Sequence, residues 1–301
     1  MSAPLDHKQA LAELPAERRV ALQTRSNAAG LRHLVLYLAA LLACLLWVAL
    51  KLPLWQAAVL PLGILWSFLF TLSHECTHDT PFATQWINRV VGHACAVPLI
   101  LPFTWFRAFH LAHHKHTNDP ANDPELAHGG RPDTWHTYVI YLSGWGYWRT
   151  SLKTLTSNTT GPHAAPYLPG RKHTAVRQEA RLLLAIYGLI GLSLLLSPLA
   201  FWLWILPSLI GQPFLRAYLL AEHGHCPPVA NMLENSRTTF TNRIIRFLAW
   251  NMPYHAEHHA FPNVPFHQLP ELHKDLQDHL QNTSKGYAGF HRGYQAGLSS
   301  D

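Results

Sequence analysis

Charge is scarce in this chain. Of 301 residues only 23 are Lys or Arg and 17 are Asp or Glu, so 13% carry charge while 49% are apolar. A soluble domain usually carries roughly a quarter charged residues, so the shortage argues against an ordinary soluble protein. Cysteine is scarce too. Cys44, Cys76, Cys95 and Cys226 stand apart with no CxxC pair, which argues against a disulfide framework, a zinc ribbon or an iron–sulfur centre. No basic and aromatic nucleic-acid signature occurs, so the net charge of +6 and the pI near 9.2 point to anionic headgroups or an acidic protein partner, with no nucleic acid. No internal repeat and no low-complexity block is found. The opening MSAPLDHKQALAELPAERRV mixes acids and bases, so no cleavable signal peptide is expected and the first apolar span serves as the insertion signal.

The few charges are also unevenly placed. Residues 34–50, 52–73 and 182–215 hold none; Lys51, Pro53 and Pro61 lie around the first junction, and Pro198 and Pro207 break the third run. At about 20 residues per crossing, these runs predict four spans in two hairpins, in an all-α integral membrane protein. The bland alternative is a helix pair buried in a soluble core. Lys51 is the only cation in either proposed turn, so the positive-inside tendency places both termini and the middle loop in the cytoplasm, at the inner membrane if the source is bacterial.

One domain then covers residues 1–301. It comprises a cytoplasmic leader (1–32), a first hairpin (34–73), a cytoplasmic and interfacial region (74–180), a second hairpin (181–221), a further cytoplasmic region (222–280) and a tail (281–301). Within these, 90–101 is too short and polar to span and is expected to be re-entrant or interfacial. The aromatic stretch 133–148 reads as an interface helix, 156–177 as a loop and 242–251 as an amphipathic helix. The Gly-rich and Ser-rich tail after Leu280 is expected to be loosely ordered.

Histidine is abundant instead, with 22 in the chain, and eight fall into three clusters: His74 and His78 in HECTH, His110, His113 and His114 in HLAHH, and His255, His258 and His259 in HAEHH. Residues three and four apart share a helix face, so each cluster aims imidazoles at one point. Three clusters supply more ligands than one tetrahedral ion uses, which predicts two or more metals in a helical cap on the cytoplasmic side. HECTH alone also matches the HExxH of zinc proteases, with Glu75 as base, although that reading leaves both HxxHH clusters idle. A non-enzymatic metal carrier or receptor is a third class.

His223 in EHGH lies in step with Arg216 and Leu219 on the preceding span and is the expected ninth ligand; His225 follows Gly224 and is expected to have left the helix. His116 falls on another face. His33, His93, His136, His163, His267, His273, His279 and His291 read as ordinary polar side chains. Glu75, Asp79, Asp119, Asp123, Glu222 and Glu257 are candidates to hold the far ring nitrogens. Imidazole alone does not choose among zinc, copper and iron.

HECTH followed by PF, HLAHHKHTNDP, and NMPYHAEHHAFPNVPFHQLP together resemble the three histidine boxes of the membrane fatty acid desaturase and hydroxylase superfamily. The third box is similar to that of desaturases acting on acyl lipids and sphingolipids. The resemblance spans about residues 34–280 and implies a di-iron centre on the eight box histidines, with His223 as an extra ligand. It also implies O2 as co-substrate and hydrogen removal from an aliphatic chain of a lipid or acyl substrate. An alkene is the expected product; EHGH resembles a motif of alkane hydroxylases and keeps hydroxylation of an alkyl, acyl or carotenoid substrate as the alternative. His128-Gly129-Gly130 lacks the proline of a fused haem domain and reads as a turn. A separate electron donor is therefore implied, whether ferredoxin, rubredoxin or cytochrome b5 with its reductase, docking near Arg107, Lys115, Arg171 and Lys172.

Overall fold

The computed structural model describes residues 4–127, 130–161 and 165–299, so His128, Gly129 and His163 lie outside the described residues. The leader forms α1 (His7–Glu13) and α2 (Ala16–Leu22), and the first uncharged runs form α3 (Asn27–Ala49) and α4 (Trp55–Thr77). Asp6 caps α1 in a capping box with Gln9, and Ser26 caps α3 through the Ala29 N–H. Next come α5 (Gln85–Leu99) and α6 (Phe103–His116), bent by 100° at their junction. Ile100 turns the chain there at φ 51, and Pro102 starts the next helix. This bent pair occupies the stretch expected to be re-entrant.

Among the described residues, three helical stretches are long and apolar enough to cross a membrane, Ala16–Ala49, Trp55–Thr77 and Phe201–His223, with a fourth if the α5–α6 pair counts as one span. Between them lie α7 (Trp135–Leu142), α8 (Trp145–Thr160) and α9 (His173–Ser193), and the last stretch ends in α10 (Leu206–His223). The expected third span falls on α9, which does not pass the same test. Its first half carries Arg177, Glu179 and Arg181, leaving 182–193 uncharged, about 18 Å of helix. Leu182, Leu189 and Leu192 on that half are nonetheless exposed, as are Val35, Leu42 and Leu46 on α3.

Small residues bring α4 and α10 together. A Cβ on Gly63 would stand 2.1 Å from the Pro207 carbonyl oxygen, and one on Gly211 only 1.9 Å from that of Gly63, so the two backbones touch. The Tyr37 hydroxyl of α3 donates to the Leu65 carbonyl at 2.6 Å, tying the first two long helices. At the α5–α6 bend, Trp204, Tyr187 and Tyr147 donate to the carbonyls of Pro98, Val97 and Leu99, while Glu179 accepts from the Phe103 and Thr104 N–H groups at 2.7 and 2.9 Å. The break in the helix is thus satisfied at both its open ends.

The rest forms a cap: α11 (Met232–Asn235), β1 (Thr238–Phe240), α12 (Arg243–Leu248), α13 (His255–Ala260), α14 (Leu269–Leu276), β2 (Thr283–Lys285) and α15 (Tyr287–Gln295). Parallel pairing of β1 with β2 qualifies the all-α expectation. Three expectations are corrected here. The 156–177 loop is shortened, because α8 runs to Thr160 and α9 begins at His173. The described part of the tail, 281–299, is ordered: α15 buries Phe290 and Tyr294 against Tyr138, Leu220 and Ala221. The leader is more than a tether, since Ala10 and Leu22 pack with Leu269, Leu272 and Leu276, and Arg18 pairs with Asp275 at 2.9 Å.

Candidate metal centre

Each histidine cluster begins as helix geometry. His74 lies in the last turn of α4 and His78 at its C-cap, one turn apart on one face; His110 and His114 repeat that spacing on α6. Adjacent side chains on a helix diverge by about 100°, so each HH pair sends its two rings to different places. His114 and His258 join His74, His78 and His110, with one nitrogen of each within 4.8 Å of every other. His113 and His259 instead join His223 in a second group of the same compactness. His255 sits beside this second nest, its Nε2 3.0 Å from that of His223. The nests adjoin through His114 and His259, whose rings stack at 4.0 Å.

All nine histidines named from the sequence therefore converge, and they arrive from four helices. His225 does not. It leaves the helix at φ 56 and stacks on Tyr294 at 4.1 Å. His116 lines a surface cleft on the far side of α6. His33, His93, His273 and His291 hydrogen-bond elsewhere, to Phe247, Glu179, Glu257 and Ala217.

The six candidate carboxylates divide. Asp123 holds His113 Nδ1 at 2.9 Å and also accepts from the Asn118 and Glu125 N–H groups. Glu222 faces His255 Nδ1 at 3.3 Å, and Glu75 lies 3.7 Å from His258 Nδ1. Three expectations need correcting. Glu257 holds His273 at 2.5 Å and accepts from Thr238, fixing α13 against β1 and α14. Asp79 pairs with Arg107 at 2.6 Å, and Asp119 caps its own turn at Ala121 and Asn122. Sequence reasoning missed two supports. The Asn235 carbonyl lies 3.1 Å from His223 Nδ1, and the Thr117 hydroxyl lies 3.1 Å from His259 Nδ1. Neither residue type signals such a role in advance.

The donor set fits a metal. Both ring nitrogens of His74, His114 and His258 are buried without a hydrogen-bond partner, as is His259 Nε2. Buried unpaired polar atoms cost about 1–3 kcal/mol each, and here the lone pairs of several rings face one another. His78 Nε2 and His110 Nε2 stand 2.8 Å apart, a contact that a cation between them would relieve. Burial, with Arg107 nearby, pushes the His78 pKa down to about 3, and burial likewise lowers His255, His258 and His259. These rings are neutral at pH 7, the form that binds metal.

Glu75 is not placed as a hydrolytic base. Its Oε2 accepts from the Thr80 hydroxyl and the Phe266 N–H, which anchors the end of α4 to the cap.

Comparison with known proteins agrees with this geometry. The fatty acid desaturase family matches residues 50–290. An sn-1 oleoyl-lipid 12-desaturase of Anabaena variabilis is 24% identical, over 74% of this chain and 72% of its own. An sn-1 acyl-lipid omega-3 desaturase (ferredoxin) of Nostoc is 24% identical over 69% of this chain and 63% of its own. An acyl-lipid omega-3 desaturase (cytochrome b5) of Arabidopsis thaliana is 25% identical over 74% and 62%. With the family matched across most of its length, including every clustered histidine, the chain belongs to the fatty acid desaturase family and is an oxidoreductase.

Proposed function

We propose that this protein is an O2-dependent desaturase that introduces a double bond into a fatty acyl chain of a lipid or thioester. Two iron ions would be held by His74, His78, His110, His113, His114, His223, His255, His258 and His259. The observation that carries the reading is the division of eight of these histidines into two adjoining nests, with His255 beside the second. Bound iron would supply the oxidising power to take hydrogen from an unactivated carbon.

The chain's own residues do the rest. Asp123, Asn235 and Thr117 fix three rings from outside, and Glu222 faces a fourth. Burial keeps bulk water from the nests, and exposed leucines on the long helices let a hydrocarbon substrate approach through lipid. Two hydrogens leave the substrate, and two electrons come from a separate donor: ferredoxin, rubredoxin or cytochrome b5 with its reductase. The products are an alkene and water.

In the membrane, α3 with α4 and α9 with α10 form two hairpins, and α5–α6 is re-entrant. The Lys and Arg distribution supports a cytoplasmic location for both termini and the cap. His225 stands apart from the nests, so the EHGH likeness to alkane hydroxylases gains no support from the site.

Expression in a host followed by lipid mass spectrometry tests the reading. Loss of two hydrogens from a host acyl chain is expected. Gain of one oxygen would mean hydroxylation, and purified protein carrying one zinc and no iron would sink the di-iron assignment.

A further inference from the structure

α11 has only four residues, yet it carries the backbone carbonyl that faces His223. A helix shorter than about 12–15 residues does not hold its own shape in water, so what fixes α11 lies outside it.

Asn235 is where the supports of the second nest meet. Its carbonyl lies 3.1 Å from His223 Nδ1 and accepts from the Asn118 side chain at 2.7 Å. Its side-chain amide donates to the Thr117 carbonyl at 3.3 Å, and the Thr117 hydroxyl lies 3.1 Å from His259 Nδ1. The Asn118 N–H donates to Asp123 Oδ2 at 2.8 Å, and Asp123 holds His113. All three rings of that nest are braced through this one junction. Among the described residues, Asn235 makes no hydrogen bond to a ring of the five-histidine nest.

The leader secures the other end of α11. The Met232 N–H donates to His7 Nδ1 at 3.2 Å, and the His7 N–H donates to Asn231 Oδ1 at 3.0 Å. Asn231 Oδ1 also accepts from the Leu233 N–H, and the Asn231 carbonyl accepts from the Glu234 and Asn235 N–H groups. Every N–H of the turn is satisfied, one of them by an imidazole 225 residues away in the chain. Burial lowers the His7 pKa, which favours the neutral ring and leaves Nδ1 free to accept. Ala10 and Leu22 share one apolar cluster with Leu233, so buried surface backs the contact.

We propose that the leader positions the second metal nest, with His7 acting through α11 and Asn235 on His223. The assignment rests on the reading that this nest holds a metal. His7 is a positioning residue: it holds the turn whose carbonyl selects the His223 tautomer.

Two variants separate the hydrogen bond from the bulk of the ring. His7→Leu removes the acceptor and keeps an apolar side chain, whereas His7→Asn sets an amide oxygen where Nδ1 stands. The full chain in detergent is titrated with ferrous iron against a chelator, and amide exchange across 231–237 is read in metal-free protein. In His7→Leu the exchange should speed up. One dissociation constant, that of the site removed by His223→Ala, should rise about tenfold, and the other should stay within about twofold. The metal-free melt should fall by less than about 4 °C, and His7→Asn should restore exchange and affinity.

Unchanged dissociation constants in His7→Leu overturn the proposal, whatever the exchange. Weakening of both sites alike also overturns it and makes the leader a general stabiliser. If wild type binds no iron, the metal reading fails by itself. Exchange that is faster in His7→Leu and restored in His7→Asn then still upholds the hold of His7 on Asn235, and exchange alike in all three chains overturns it.

Discussion

In the five-histidine nest neither ring nitrogen of His74, His114 or His258 has a hydrogen-bond partner, whereas His113, His223 and His259 of the second nest are each tied on the outer side. The difference is one of support. An outer hydrogen bond selects the tautomer and leaves the inner nitrogen's lone pair free for a metal. Asp123, the Asn235 carbonyl and Thr117 do this for the second nest before any ion arrives. The first nest relies on the packing of α4, α6 and α13, and an ion would complete its order. Two sites of similar composition should therefore differ in affinity, with the second filling first.

Removing a ligand from each nest has the largest expected effect. His258→Ala and His223→Ala should each abolish product formation and lower bound iron from about two to about one per chain, read by elemental analysis. Loss of both ions from either variant would break the comparison, because the nests would then be one cooperative unit.

Acid comes next. His78 and His258 of the first nest and His255 and His259 beside or in the second all have folded-state pKa values below the unfolded 6.5. The unfolded chain therefore binds more protons as pH falls, so their contribution is present above pH 6.5 and is lost progressively below it, towards about 3 for His78. Metal-free protein should melt at lower temperature as pH drops from about 7 to 5. The second nest should hold its shape longer, because Asp123 gives a protonated His113 a counter-ion, while Arg107 repels a proton on His78. A melting temperature flat across that range would remove the argument that these rings are buried neutral.

The nine histidines were legible in the sequence, but not their division: each cluster was expected to aim at one point, whereas His113 parts from His110 and His114, and His259 from His258. The 3.6-residue period puts His74 with His78 and His110 with His114 regardless of tertiary context, and Gly224 separates His223 from His225. Asp123 was identifiable only as one of six candidate carboxylates, since Asp119 lies in the same Asn-Asp-Pro sequence and caps its own turn instead. Asn235 and Thr117 were not, since a backbone carbonyl and a common hydroxyl carry no periodic signal.

Order in α15 was hidden for another reason. Tyr287, Phe290 and Tyr294 have helical spacing, but Gly289 and Gly293 lower the local propensity, and packing against α10 overrides it. Thr- and Ser-rich α8 likewise packs on α9, a tertiary contact that offsets its low propensity. Glu257 looked like a ligand support by proximity in the sequence. It serves His273 instead, which α14 brings to it from 16 residues away.

The finest test compares one carboxylate per nest. Asp123→Asn keeps the size of the side chain and removes its charge, at 2.9 Å from His113 Nδ1. Such outer partners are worth about 10–100-fold in metal affinity, so the tighter site should weaken by that factor in chelator competition. Glu75→Gln replaces the carboxyl that lies 3.7 Å from His258 Nδ1, beyond hydrogen-bond reach. Its effect on the weaker site should stay under about tenfold, because no hydrogen bond to a histidine is removed. Equal losses in the two variants would mean that a nearby carboxyl supports either nest whether or not it is bonded to a ring. The hydrogen bond to His113 would then not be what distinguishes them.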